Sequence, residues 1–328
     1  MTHSPELFFP RVQAGTKAGL KKGWSGLIWL LKILVPISFL TALLVHFGII
    51  YRLDFLLTPV MNWLSLPASA ALVLIIGLFT GIYGTVAALS VMAFSMDHMI
   101  LMAIFTLISH NLIQESIVQG NSGINPFVVA SFRLIMAFVV TFVCAKIIGV
   151  TPDQGIVLSL DSLDKIPGPF FPMLQEWGAG TAKLCLQIFC IIMPLMVLLE
   201  LAKTFNIIQM ITRIFSPLVT LLGLDRSCGM LWLTATVFGL AFGSAVIVEE
   251  TRSNEYDPEE LTKLHLSIGV NHAMIEDPIL FLPLGIPPFW LWVPRLIAAV
   301  AVTYLFSAFL FARRLYAKRA CHKKIRNN

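Results

Sequence analysis

His110-Asn111-Leu112-Ile113-Gln114-Glu115 and His272-Ala273-Met274-Ile275-Glu276-Asp277 lie 162 positions apart. Each sets an imidazole five residues before a carboxylate inside an otherwise apolar stretch. The same shift carries Pro126-Phe127 to Pro288-Phe289 and Arg133-Leu134-Ile135 to Arg295-Leu296-Ile297. It also carries Gly77-Leu78-Phe79-Thr80-Gly81 to Gly239-Leu240-Ala241-Phe242-Gly243. Upstream, a shift of 158 takes Pro36 to Pro194 and Pro59 to Pro217, so a four-residue insertion is expected before Gly239. Apolar helices match one another by chance. His, acid, Pro and Arg at one constant shift do not, and the chain reads as two related halves.

The solvent of those halves is lipid. Of 328 residues 57% are hydrophobic and 12% charged, against roughly 25% charged in soluble domains. Apolar runs reach the length of about 20 residues that a helix needs to cross a bilayer. The net charge of +5 comes from the ends: Lys17, Lys21 and Lys22 precede the first span, and Arg313, Arg314, Lys318, Arg319, Lys323, Lys324 and Arg326 follow the last. The positive-inside rule then puts both termini in the cytoplasm of a bacterial inner membrane. Such tails serve topology and lipid contact rather than nucleic acid. No small-residue cleavage site follows the first apolar run, so no removable signal peptide is expected. Cys144, Cys185, Cys190, Cys228 and Cys321 are scattered, which suggests neither a disulfide framework nor a zinc cluster.

The expected layout is a basic N-terminus (1–25), a first repeat (26–150), a linker (151–182), a second repeat (183–312) and a basic tail (313–328). Each repeat holds a first span (33–50, 184–202), an amphipathic stretch (51–65, 205–223) and a Gly-interrupted apolar segment (67–94, 227–252). A third helix with the His and acid (96–118, 258–281) and a last span (126–149, 288–312) follow. Ser95 and Asp257 read as N-caps, the latter with Glu260 as a capping box. If the Gly-interrupted segment goes in and returns, with breaks among Gly77, Gly81, Gly239 and Gly243, each half has three crossings and the second is inverted. Lys203, Arg213, Arg226, Arg252 and Lys263 then fall inside, while the matching first-half stretch holds only Arg52. The charge asymmetry favours this fold: all-α, polytopic, two inverted repeats, each with three spanning helices, an amphipathic helix and a re-entrant hairpin.

Ionisable groups in a bilayer are costly and mark pathways or pairs. On an uninterrupted helix His110 and Gln114 share a face, as do His272 and Glu276, with His265 two turns before His272. His110, Asn111, Gln114, Glu115, Asn271, His272, Glu276 and Asp277 are therefore the candidate ligands for a solute or ion. Asn111 and Asn271 read equally well as interhelical hydrogen bonds. A metal, if one binds, would take His272, Glu276 and His265. The structural alternative is that Arg133 neutralises Glu115 and Arg295 neutralises Asp277. No GxxxxGK[ST], HExxH or GxSxG pattern occurs, so neither a nucleotide motor nor another enzyme is expected, and no cofactor.

Asn271–Pro278, the Gly239–Gly243 segment and the duplicated layout resemble the Gate domain (nucleoside-recognition domain) family. That family includes the membrane core of ferrous-iron transporter B, spore maturation proteins A and B, and parts of concentrative nucleoside transporters. The first half departs from the motif at Gln114 and Ser116, where the second has Glu276 and Pro278. The resemblance implies a secondary transporter or permease for a nucleoside-like solute or divalent metal, with its site between the repeats. The alternative it implies is a non-transporting assembly or scaffold protein of the spore-maturation type. The expected partners are a small molecule or ion and the lipid bilayer, with a homo-oligomer or a partner membrane subunit left open.

Overall fold

A computed structural model describes residues 8–48, 54–150, 169–205, 207, 219–253 and 256–326. Arg52, Arg213, most of the second amphipathic stretch and linker residues 151–168 lie outside the described residues. Helices, with no strand among the described residues, run in the order α1 (Phe8–His46), α2 (Asp54–Trp63), α3 (Ala70–Thr80), α4 (Ile82–Val91), α5 (Met96–Ser109), α6 (Leu112–Gly120), α7 (Pro126–Ile148) and α8 (Phe170–Thr204). Then come α9 (Gly229–Ser253), α10 (Pro258–Val270), α11 (Glu276–Ile279) and α12 (Pro288–Arg326). Among the described residues, five stretches are long and apolar enough to cross a membrane: 9–46, 96–120, 126–148, 170–204 and 288–316. The chain is an all-α polytopic membrane protein.

Two expected boundaries move. The basic N-terminus is already helical from Phe8, and 170–182 of the expected linker is the start of α8. The reason lies in packing. α1 and α8 run antiparallel over their full lengths, from Gly15 against Leu201 and Thr204, through Gly19 against Val197, to His46 beside Phe170. Glycines at four-residue intervals (15, 19, 23) let the two backbones approach, the usual way helices associate when lipid supplies no hydrophobic drive. Lys22 Nζ meets Glu200 at 2.7 Å on this seam.

The Gly-interrupted segment folds back on itself. A side chain at Gly77 would lie 2.5 Å from Thr85 Oγ1, and one at Gly84 would lie 2.7 Å from Ile76. An unbroken helix would hold residues eight apart at roughly 12 Å. The break is Gly81 (φ 82°, ψ −168°), and in α9 it is Gly239 (φ 74°, ψ 172°). Both lie where an L side chain is strained. Gly77 is inside α3 and Gly243 inside α9, so neither is a break. The structure therefore matches Gly81 to Gly239, not Gly77 to Gly239. The four-residue insertion falls after the break, in the returning arm, and not before it. Gly81→Ala and Gly239→Ala should each lower stability by about 1–3 kcal/mol, read as thermal melting in detergent. An unchanged melting temperature would remove the strain argument.

α5 is the central element, with residues 100–109 all buried, and the second half of α10 is buried likewise. α5 packs on α7 and α12, and α10 on α12 and α7. Outward faces of α7 (Ile135, Val139, Phe142, Ile147) and α12 (Ile297, Leu305, Phe309) are exposed apolar surface suited to lipid. Ser95 caps α5 by accepting from His98 N, and Asp257 caps α10 by accepting from Glu259 N. Glu260 instead accepts from Asp225 N and Lys263, so it does not form a capping box with Asp257.

Candidate functional site

The expected third helices are both interrupted at their histidines. α5 ends at Ser109 with His110 as its cap, and Asn111 turns left-handed (φ 44°) before α6 begins. α10 ends at Val270, residues 271–275 are non-helical, and Ala273 is left-handed (φ 46°). α10 alone has 13 residues, too few for a crossing of about 30 Å at 1.5 Å per residue. The cause lies in the hairpins. Asn111 N donates to Gly77 O at 3.2 Å, and Ala273 N donates to Ala235 O at 3.0 Å. Each hairpin tip sits on the left-handed residue, with Gly81 against the Asn111 carboxamide and Gly239 against the Ala273 methyl.

An interrupted helix exposes its last carbonyls. Two fully buried arginines meet them. Arg133 donates to Ile108 O (3.1 Å) and His110 O (2.9 Å), and Arg295 to Val270 O (3.4 Å) and His272 O. These contacts repeat residue for residue at the 162 shift. They also complement the negative end of each helix dipole. The symmetry then stops. Arg133 also binds Glu115 Oε2 at 2.6 Å, as expected, whereas Asp277 lies beside His110 rather than pairing with Arg295.

The breaks change which side chains converge. His110 and Gln114 do not share a face, because the chain between them is not one helix. Gln114 is exposed and Glu115 turns inward. The two imidazoles lie 5.0 Å apart, ring to ring. His110 Nε2 lies 3.3 Å from Glu115 Oε1 and 3.1 Å from Asp277 Oδ2, and His272 Nε2 lies 3.1 Å from Glu115 Oε2. Acids and imidazoles thus meet across the two halves. His272 Nε2 and Asp277 Oδ2 nevertheless have no aligned hydrogen-bond partner among the described residues.

The ring tautomers follow from the other nitrogens. His110 Nδ1 lies 3.0 Å from Thr106 O, and His272 Nδ1 lies 2.9 Å from Ile268 O. A carbonyl only accepts, so both Nδ1 atoms carry hydrogen. A neutral ring then turns a bare Nε2 lone pair toward carboxylate oxygen. That arrangement is favourable only with a proton on Nε2 or a cation among the groups. One donor atom each from His110, His272 and Asp277 falls within 4.8 Å of the others, the spacing a metal ion needs.

The expected metal set of His272, Glu276 and His265 does not assemble. Glu276 accepts from Tyr83 Oη at 2.6 Å, linking α11 to the first hairpin, and His265 donates to Ser122 O at 3.2 Å. Asn271 is buried, with Nδ2 on Met274 Sδ at 3.0 Å. Tyr83 carried no signal in the sequence, because one tyrosine in an apolar run reads as packing.

The centre is therefore a buried polar cluster at four backbone interruptions within a multi-pass membrane protein. The chain is similar, at 28% identity over 290 residues, to the uncharacterized membrane protein YvoD of Bacillus subtilis (strain 168), covering 88% of this chain and 92% of that protein. No protein-family model and no solved structure matches it.

Proposed function

We propose that the chain is a secondary transporter of the Gate-domain type, moving a small polar or cationic solute through the centre between its two halves. The observation that carries this reading is the pair of buried Nε2 atoms aimed at carboxylates of the opposite half. The arginines already satisfy the last carbonyls of the interrupted helices, so the two Nε2 atoms and the Asp277 carboxylate are not needed to cap them. Inverted repeats around broken helices suit alternating access. The antiparallel course of α1 and α8, the first helices of the two halves, supports inversion. Terminal lysines and arginines support a bacterial inner membrane with both termini in the cytoplasm.

The test is a thermal-stability screen of purified protein against nucleosides and divalent cations, followed by uptake of the hit into proteoliposomes. His272→Ala and Glu276→Ala are expected to bring uptake close to background while helical content is kept. Uptake at the wild-type rate in both variants would remove the site. An assembly protein would bind no solute and tolerate both changes.

A further inference from the structure

Away from the centre, a second line of buried polar groups runs between the halves. Along α6, Glu115 and Gln119 share a face four residues apart, and Ser122 follows in the turn just past the end of the helix. Along α10, His265 and Gly269 share a face four residues apart, and His272 follows just past the end of the helix. The two faces meet in antiparallel register. Glu115 Oε2 is 3.1 Å from His272 Nε2, and His265 Nε2 is 3.2 Å from Ser122 O. Between them, a side chain grown from Gly269 would lie 3.9 Å from Gln119 Nε2 and 3.3 Å from Arg133 Cγ. One end of this seam is the His–carboxylate centre. The other is the turn 121–125, where Asn121, Gly123 and Asn125 are exposed.

The seam is lined with unmet hydrogen-bonding capacity. Gln119 is fully buried and neither amide atom has a partner among the described residues. The same holds for Ser116 Oγ, His265 Nδ1 and Arg133 Nη1. His265 donates its Nε2 hydrogen to a carbonyl, so its Nδ1 is a bare acceptor. Such groups are costly in an apolar interior unless water reaches them. The charged and titratable groups around the seam are Glu115 on α6, Arg133 on α7, His265 and Lys263 on α10, with His110, His272, Asp277 and Arg295 at its inner end. Lys263 is held by Glu260 at 2.5 Å.

We propose that the seam between α6 and α10 is a hydrated proton path from the 121–125 turn to the Glu115–His272 contact. Water and the Ser116 hydroxyl relay the proton, the bare Nδ1 of His265 takes it up and returns it to water, and it passes on to the Glu115 carboxylate that Arg133 holds. The path rests on the transporter reading only for the use to which the protons are put.

The test uses the full chain in lipid nanodiscs with isotope-labelled Gln, His and Arg. Solid-state magnetic resonance first reads contact between mobile water and the Gln119 side chain and His265 ring. After transfer to heavy water, it then reads hydrogen exchange at the Arg133 guanidinium and His272 ring. Both water contacts are expected, with exchange slowed roughly tenfold by Gln119→Leu and by Gly269→Ala. A dry Gln119, or exchange unchanged in a variant, overturns the path. If Gln119→Leu folds poorly, Gly269→Ala decides. A dry seam also predicts that Gln119→Leu raises the melting temperature, since it would remove an unpaired amide. Exchange that behaves as expected in a protein that transports nothing would strike the transport reading and leave the path standing.

Discussion

Arg133→Met is expected to destabilise the protein by about 3–5 kcal/mol, a large part of the roughly 5–15 kcal/mol that holds a domain folded. The guanidinium is fully buried and does two jobs. It satisfies Ile108 O and His110 O at the end of α5, and it neutralises Glu115, which is 4% exposed. Removing it leaves a carboxylate without its cation and two orphan carbonyls in the same buried space. Arg295→Met removes chiefly the carbonyl contacts, because no carboxylate among the described residues forms an ion pair with Arg295. It should cost about 1–3 kcal/mol. Melting of both variants in detergent checks the difference, and equal losses would show that the Arg133–Glu115 pair contributes nothing of its own.

Glu115→Gln is expected to abolish solute uptake while leaving α-helical content in place. Its carboxylate contacts both imidazoles, 3.3 Å from His110 and 3.1 Å from His272. The amide keeps the shape and one acceptor for Arg133, but it loses the charge that makes a proton or cation between the rings favourable. Uptake in proteoliposomes beside circular dichroism separates the two effects. Uptake at the wild-type rate would mean that the centre is a structural ion-pair network and the solute passes elsewhere. Tyr83, which holds Glu276, is the natural companion variant. Tyr83→Phe removes one hydroxyl at the rim and leaves the Glu115 contacts untouched.

The class of the protein and the pair of histidines were legible because polar residues in apolar runs carry strong signal, and a constant shift between them carries more. The arginines were legible for the same reason, though only Arg133 found the acid expected of it. What the sequence hid was backbone. Placing Gln114 beside His110 assumed an unbroken helix, and the left-handed residues that break it are an asparagine and an alanine, the second with no propensity to announce it. The position of the insertion was hidden by matching Gly-rich segments. Gly77 and Gly239 align as letters, but only Gly81 and Gly239 share the dihedral angles that turn a hairpin. Cross-half pairing, which brings Asp277 to His110, depends on how the two halves dock, and no local pattern encodes that.

The glycine contact between α1 and α8 limits how the molecule can move. At Gly19 an added carbon would stand 2.5 Å from the main chain of Val197, so these rods touch backbone to backbone and cannot slide without colliding. They act as one fixed strut spanning both halves. Any rearrangement of the centre must then be taken up at four joints: the glycines at 81 and 239, the residue after His110, and the uncoiled stretch after Val270.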